Sequence, residues 1–258
     1  VIYIGTSGFQ YDDWVGPFYP EQLAQWHWLE FYAQEFNTCE LNYTFYRNPS
    51  PKQLLRMSQR VPEGFRFSMK AYKGITHEPV AEGWEEAAHL FAQAAQELAA
   101  TGKLGAVLLQ FPYSFRPGAE ARALLERCRE VMAGLPLVVE FRNRLWLRQE
   151  HLELLRRLQL GYCCVDEPRL RGLMPPEAVA TAPVAYVRFH GRNAAKWWNH
   201  KEAWERYDYT YSSAELAEWV PKIRFLEAQS NEVYVYANNH WRGQAVDTAR
   251  QLRALLGL

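Results

Sequence analysis

The sequence predicts a single (β/α)8 barrel of the TIM type occupying residues 1–258 as one domain, and three observations predict it. Eight short apolar runs alternate with about seven stretches of helical spacing, the pattern of a parallel sheet covered by helices. A chain of 258 residues is the right length for one closed barrel. The glycine-rich phosphate loop that marks the runner-up, an open doubly wound sheet, is missing.

Each element has its own signal. Residues 2–5 form the first strand and exit through Gly5-Thr6-Ser7-Gly8, two glycines around two hydroxyls that suit a tight turn. Leu29, Tyr32, Ala33 and Phe36 recur at helical spacing. Residues 38–42 are the second strand, running into a loop; Ser50-Pro51-Lys52-Gln53 then reads as a capped helix start. Residues 65–70 are the third strand, with a loop at 73–79 and a helix marked by Phe91, Ala94, Ala95 and Leu98. Residues 104–110 and 137–141 are the fourth and fifth strands, followed by helices through Ala121–Cys128 positions and 151–158. Residues 160–166 are the sixth strand. Residues 167–183 are Pro-rich, so the sixth helix is expected to be irregular or missing. Residues 184–190 are the seventh strand, and 193–211 form a Trp/Tyr-rich loop. Ser212 and Glu215 form a capping box ahead of Leu216, Trp219, Val220 and Ile223. Residues 232–238 are the eighth strand and 243–256 the closing helix.

Lys+Arg and Asp+Glu both number 29, which disfavours a broad nucleic-acid surface. Cys39, Cys128, Cys163 and Cys164 fit neither a zinc ribbon nor a C-x-x-C pair and read as reduced core thiols, which favours a reducing, cytoplasmic setting. No secretory apolar stretch opens the chain and no run is apolar enough to span a bilayer, so no membrane association is expected.

In barrels of this type, sites lie at the C-terminal strand ends. Strand alternation offers one polar set there: Ser7, Glu40, Asn42, Ser68, Lys70, Gln110, Glu140, Arg142, Asp166, Arg188, His190 and Asn238. Glu40, Glu140 and Asp166 face Lys70, Arg142 and Arg188. Such a set is either a self-neutralising plug or a working cavity. The desolvation cost of six converging charges argues for the cavity.

A family resemblance rests on residues across nearly the whole chain. They are Ile4-Gly5-Thr6-Ser7-Gly8 with Trp14 and Phe18-Tyr19, Phe36-Asn37-Thr38-Cys39-Glu40-Leu41-Asn42 with Thr44-Phe45-Tyr46, and Phe65-Arg66-Phe67 with Lys70 and Ile75-Thr76-His77. Further on come Gln110 and Pro112, Glu140-Phe141-Arg142 with Trp146, Arg188-Phe189-His190-Gly191, and Tyr234-Val235-Tyr236 with Asn238-Asn239. Together they resemble the YecE-like family, domain of unknown function 72. The resemblance implies a TIM-type barrel and supplies no established reaction. Phe9, Asn143 and Ala237 depart from the family pattern, where tryptophan, histidine and phenylalanine are usual. Asn143 is therefore kept out of any essential role.

The chemistry favoured is that of an enzyme acting on a small phosphorylated or sugar-like substrate, with hydrolase, lyase and isomerase classes left open. Glu40, Glu140 and His190 are the candidate catalytic residues. Ser7, Asn42, Lys70, His77, Gln110, Arg142, Asp166, Arg188 and Asn238 are the candidate binding residues, the arginines suiting an anion. No cofactor and no metal ligand is predicted. A retaining glycosidase is disfavoured because strands four and seven end in Gln110 and His190. Two alternatives stand. One is a metal-dependent hydrolase or isomerase using His77, His190, His240 and the carboxylates, without an H-x-H or H-E-x-x-H spacing to support it. The other is a ligand- or nucleic-acid-binding barrel using Arg192, Lys196, Lys201 and Arg206 among the loop aromatics. Trp197, Trp198, Tyr209 and Tyr211 are candidates for a lid.

Overall fold

The computed structural model describes residues 1–258 as a closed barrel of eight parallel strands joined in sequence order. They are β1 Ile2–Ser7, β2 Thr38–Leu41, β3 Arg66–Lys70, β4 Leu104–Gln110, β5 Leu137–Glu140, β6 Gly161–Asp166, β7 Val184–Phe189 and β8 Glu232–Ala237. β1 closes on β8 from Ile2↔Val233 to Thr6↔Ala237. Closure pairs every strand on both sides and leaves no edge. The strands carry apolar residues toward the helices, and Leu41, Met69, Leu109, Val139, Val187 and Val235 are all buried there.

Outer helices Trp28–Glu35, Pro51–Ser58, Trp84–Ala100, Ala119–Val131, Gln149–Arg157, Val220–Gln229 and Gln244–Leu256 cover the barrel. No helix joins β6 to β7. That crossover carries Pro168, Pro175, Pro176 and Pro183, which lack the donors a helix needs. Side chains fasten it instead: Thr181 Oγ1 accepts the Tyr162 N–H at 2.8 Å and donates to the Leu160 carbonyl at 2.6 Å. No helix of the structure is long and apolar enough to cross a membrane.

Three local expectations need correction. Ser50 makes no side-chain cap, although Pro51 does open its helix. The segments after β2 and β3 are not plain loops, since Tyr43–Tyr46 and Lys73–Thr76 each form one helical turn. The Ser212–Glu215 capping box is present, but its helix ends at Ala217 and a second starts at Val220. Pro221 cannot donate to a preceding turn, so the chain restarts there while Leu216, Trp219 and Ile223 stay buried.

Tyrosines share the inside of the barrel with Leu108, Val138 and Val165. Tyr186, Tyr234 and Tyr236 are buried there, and the Tyr236 hydroxyl lies 2.6 Å from Thr38 Oγ1 and 2.9 Å from Ser68 Oγ. The Tyr236 and Tyr186 hydroxyls meet polar groups that point inward from β2 and β3, and that of Tyr234 bonds to Glu232 at 2.8 Å. At the β1–β2 seam the Tyr32 hydroxyl accepts the Thr6 N–H at 2.9 Å and donates to the Thr38 carbonyl at 3.0 Å. Gly5 is required at this seam, because a Cβ would sit 2.1 Å from the Thr38 oxygen. Gly5→Ala is expected to lower unfolding stability by about 3 kcal/mol, the upper range for forced overpacking. Urea denaturation measures this, and an unchanged midpoint would show that the seam can open.

Candidate active site

The C-terminal ends of β2, β5 and β7 bring Glu40, Glu140 and Arg188 together, because the period of two turns all three side chains into the barrel. Arg188 Nη2 donates to Glu40 Oε1 at 2.6 Å and Nη1 donates to Glu140 Oε2 at 2.7 Å. Ser7 Oγ at 3.3 Å and Asn238 Oδ1 at 3.4 Å complete the shell of Nη2. The second oxygen of Glu40 accepts the Tyr186 hydroxyl at 2.7 Å. The second oxygen of Glu140 lies 2.9 Å from His190 Nε2 and 2.8 Å from Arg142 Nε. The Arg142 contact is an ion pair whose angle is not that of a hydrogen bond.

His190 is the orienting member of this knot. Asn238 Nδ2 lies 2.9 Å from His190 Nδ1 and can only donate, so Nδ1 accepts and Nε2–H faces Glu140. Burial and the Arg142 charge push the imidazole down to about 3, which keeps it neutral. Both ring nitrogens are engaged. Burial alone would raise the Glu140 carboxyl, but Arg142, Arg188 and His190 outweigh it and hold it well below its usual range.

Asp166 is not in the mouth. It lies buried on the other face of β6, where Arg192 grips it with two contacts of 2.8 Å and Tyr211 and Trp219 each donate at 2.7 Å. Alternation on β6 gives the inward face to Cys163 and Val165, not to Asp166, and the residue that continues that face is Glu167. Glu167 Oε1 accepts the Met174 N–H at 2.9 Å, while Oε2 has no hydrogen-bond partner and stands 3.9 Å from Arg142. Burial pushes this carboxyl up to about 8 against the pull of Arg142, so it is mostly protonated at neutral pH.

A cavity of about 520 Å³ opens above the knot. Asn42, Lys70, Arg142, Arg188 and Asn238, all candidate binding residues, line it. Glu40, Glu140, His190 and Ser7 lie beneath, reached through Arg188. Besides Ser7 and Asp166, two further expected binding residues do not reach its wall. Gln110 spends its amide on the Phe111 carbonyl at 2.8 Å, and His77 stands behind Phe45 with Nδ1 2.8 Å from Thr76 Oγ1. Tyr11, Trp204 and Tyr207 line the cavity although no sequence signal points to them, and so does His240, named above only for the metal-dependent alternative. They sit in loops, where no periodicity marks the inward side.

The aromatic loop is folded onto the rim. Trp197 and Tyr211 are buried, and the Tyr211 hydroxyl accepts the Gly191 N–H at 2.9 Å. The Ala203–Tyr207 turn, rather than Trp197, Trp198, Tyr209 or Tyr211, faces the cavity. Three of the four basic residues named for this loop are also committed: Arg192 to Asp166, Lys196 to Glu205 at 2.6 Å, and Arg206 over the Trp197 and Tyr207 rings. Asn143 accepts the Leu145 N–H and caps the turn Arg144–Trp146. No group of three or more His, Cys, Asp or Glu side chains is disposed to hold a metal ion. All four cysteines are buried and unpaired.

Residues 3–258 match a family described as "Protein of unknown function DUF72". The chain belongs to the DUF72 family. It is 31% identical to UPF0759 protein YunF of Bacillus subtilis over 274 aligned positions, covering 100% of this chain and 95% of YunF. A DUF72 protein structure from Thermotoga maritima superposes with a TM-score of 0.91 at 36% identity, over 100% of this chain and 99% of that one. One from Enterococcus faecalis gives 0.88 at 29% identity, over 100% and 96%. DUF72 membership agrees with the barrel and names no reaction.

Removing Arg188 leaves two buried carboxylates without their shared cation. Arg188→Met is expected to cost about 3–5 kcal/mol at neutral pH. The depressed Glu140 carboxyl stabilises the native state above its unfolded pKa, and that gain disappears as pH falls through the folded value. The deficit of the variant should therefore shrink in acid. Denaturation at neutral and acid pH measures it, and an equal deficit at both would contradict the pairing.

Proposed function

We propose that this DUF72 protein is an enzyme acting on a small anionic molecule, held at Lys70 and Arg142, with Lys70 moving the proton. The observation that supports this is a charge left over. Glu40 and Glu140 are matched by Arg142 and Arg188, and Glu167 is in its acid form. Lys70 forms no ion pair and rests 4.1 Å over the Phe45 ring, facing the cavity. Burial, with Arg188 and Arg142 acting against the carboxylates, lowers its ammonium to about 7. An amine that gains and loses a proton near neutral pH, beside an arginine with room for a ligand, suits acid/base work on an anion.

Glu40 and Glu140 take a different part in this reading from that of an acid/base pair. Each is saturated by Arg188 and its neighbours, so they fix the guanidinium and set the field in which Lys70 titrates. The metal-dependent alternative draws less support, because its carboxylates and His190 are spent on Arg188, Arg142 and Asn238.

Inorganic sulfate, whose charge is constant near neutral pH, is the probe. Its affinity should be about tenfold higher one pH unit below the Lys70 midpoint than one unit above it, following the fraction of ammonium. Lys70→Met should weaken binding and flatten that dependence. In a screen of phosphorylated and carboxylated metabolites, turnover should be lost in the same variant and be inhibited by sulfate. Sulfate affinity that ignores both pH and Lys70→Met would contradict the reading.

A further inference from the structure

The Lys70 amine is placed as a nucleophile as well as a proton carrier. Its backbone is fixed at the end of β3, where the Lys70 carbonyl accepts the Thr44 hydroxyl at 2.5 Å and the next amide, of Ala71, bonds to the Leu108 carbonyl at 2.9 Å. The side chain crosses the Phe45 ring and ends in the cavity with no carboxylate partner. A general base needs only to reach a proton. A covalent centre needs an unpaired amine, open space around it for a tetrahedral carbon, and a nearby cation to hold the rest of the substrate. The cavity provides all three, with Arg142 as the cation.

Building on the anion reading above, we infer that Lys70 forms an imine with a small carbonyl compound that carries a carboxylate or phosphate, the anionic group lying on Arg142. The Nζ lone pair adds to the carbonyl carbon as the C=O π bond opens. One nitrogen-bound proton then crosses to the oxygen and gives the carbinolamine. The C–O bond breaks as a second proton arrives, water leaves, and a protonated imine remains on Lys70. Tyr207 lines the same cavity, and its hydroxyl has no partner within the protein. It can pass that second proton and recover one from solvent. No oxidant or reductant takes part.

The charges acting on Lys70 come from every wall. Glu40 on β2 and Glu140 on β5 favour the ammonium, while Arg142 after β5 and Arg188 on β7 oppose it. His77, behind Phe45, is pushed down to about 4 by burial and by Lys70 and Arg142, so it adds no charge at neutral pH. The field therefore leaves a usable share of free amine where ordinary surface lysines have little.

Borohydride trapping tests the inference. The full chain is incubated with pyruvate, dihydroxyacetone phosphate or uncharged acetone, reduced with sodium borohydride, and mapped by peptide mass. One reduced adduct at Lys70 is expected with pyruvate or dihydroxyacetone phosphate, well above acetone and above any adduct at Lys52, Lys196 or Lys201. Lys70→Arg should remove it, and Arg142→Gln should keep a Lys70 adduct but lose the preference over acetone. No adduct, or one spread evenly over the lysines, overturns the imine; if sulfate binding still follows Lys70 protonation, the anion site survives alone. A Lys70 adduct equally strong with acetone overturns the anion-directed substrate class.

Discussion

One guanidinium held between two buried carboxylates organises this barrel. Arg188 reaches from β7 to Glu40 on β2 and Glu140 on β5, strands that are not hydrogen-bonded to β7 or to each other. Without it both carboxylates would lose the guanidinium they share, and Arg188 could not be buried without them. The neighbours follow from that constraint. Tyr186 closes the free oxygen of Glu40, and His190, aimed by Asn238, closes that of Glu140. The tyrosines beneath supply bulk with hydroxyls attached, where branched aliphatics would leave inward polar groups unmet.

The same pairing decides what is left to react. In the proposed reading, the carboxylates that look like an acid and a base serve as counter-ions, and the arginine that looks like an anion anchor already has two anions. In the same proposed reading, reactivity moves up one layer, to Lys70 and Arg142 at the cavity. Lys70 stands close enough to both carboxylates to feel them but bonds to neither. Burial and two arginines destabilise its ammonium by more than the carboxylates restore. A rigid charge knot below and a loosely held amine above are therefore one device.

Much of this was legible because two-residue alternation carries through a barrel. Glu40, Lys70, Glu140, Arg142, Arg188 and Asn238 were placed at the shared rim from their parity and their position at strand ends. Parity also produced the clearest error. Taking Asp166 instead of Glu167 as the inward residue shifted the register of β6 by one, which sends the side chain to the opposite face. The partners that reveal it, Arg192, Tyr211 and Trp219, lie 26 or more residues away. Spacing within one strand cannot report them. Tyr11, Trp204 and Tyr207 escape for another reason: loop backbones have no repeat from which an inward side can be read. Nor could residue types alone show that Glu40 and Arg188 would consume each other, since that depends on the barrel being narrow enough for direct contact.

The proton affinity of Lys70 can be measured directly. With 13C-labelled lysine, the ε-carbon resonance of Lys70, assigned by its loss in Lys70→Met, is followed through a pH titration. A midpoint near the value of about 7 is the result this structure predicts. A midpoint at the ordinary lysine value of 10.5 would mean that the amine is fully charged at neutral pH and that the charge knot does not control it.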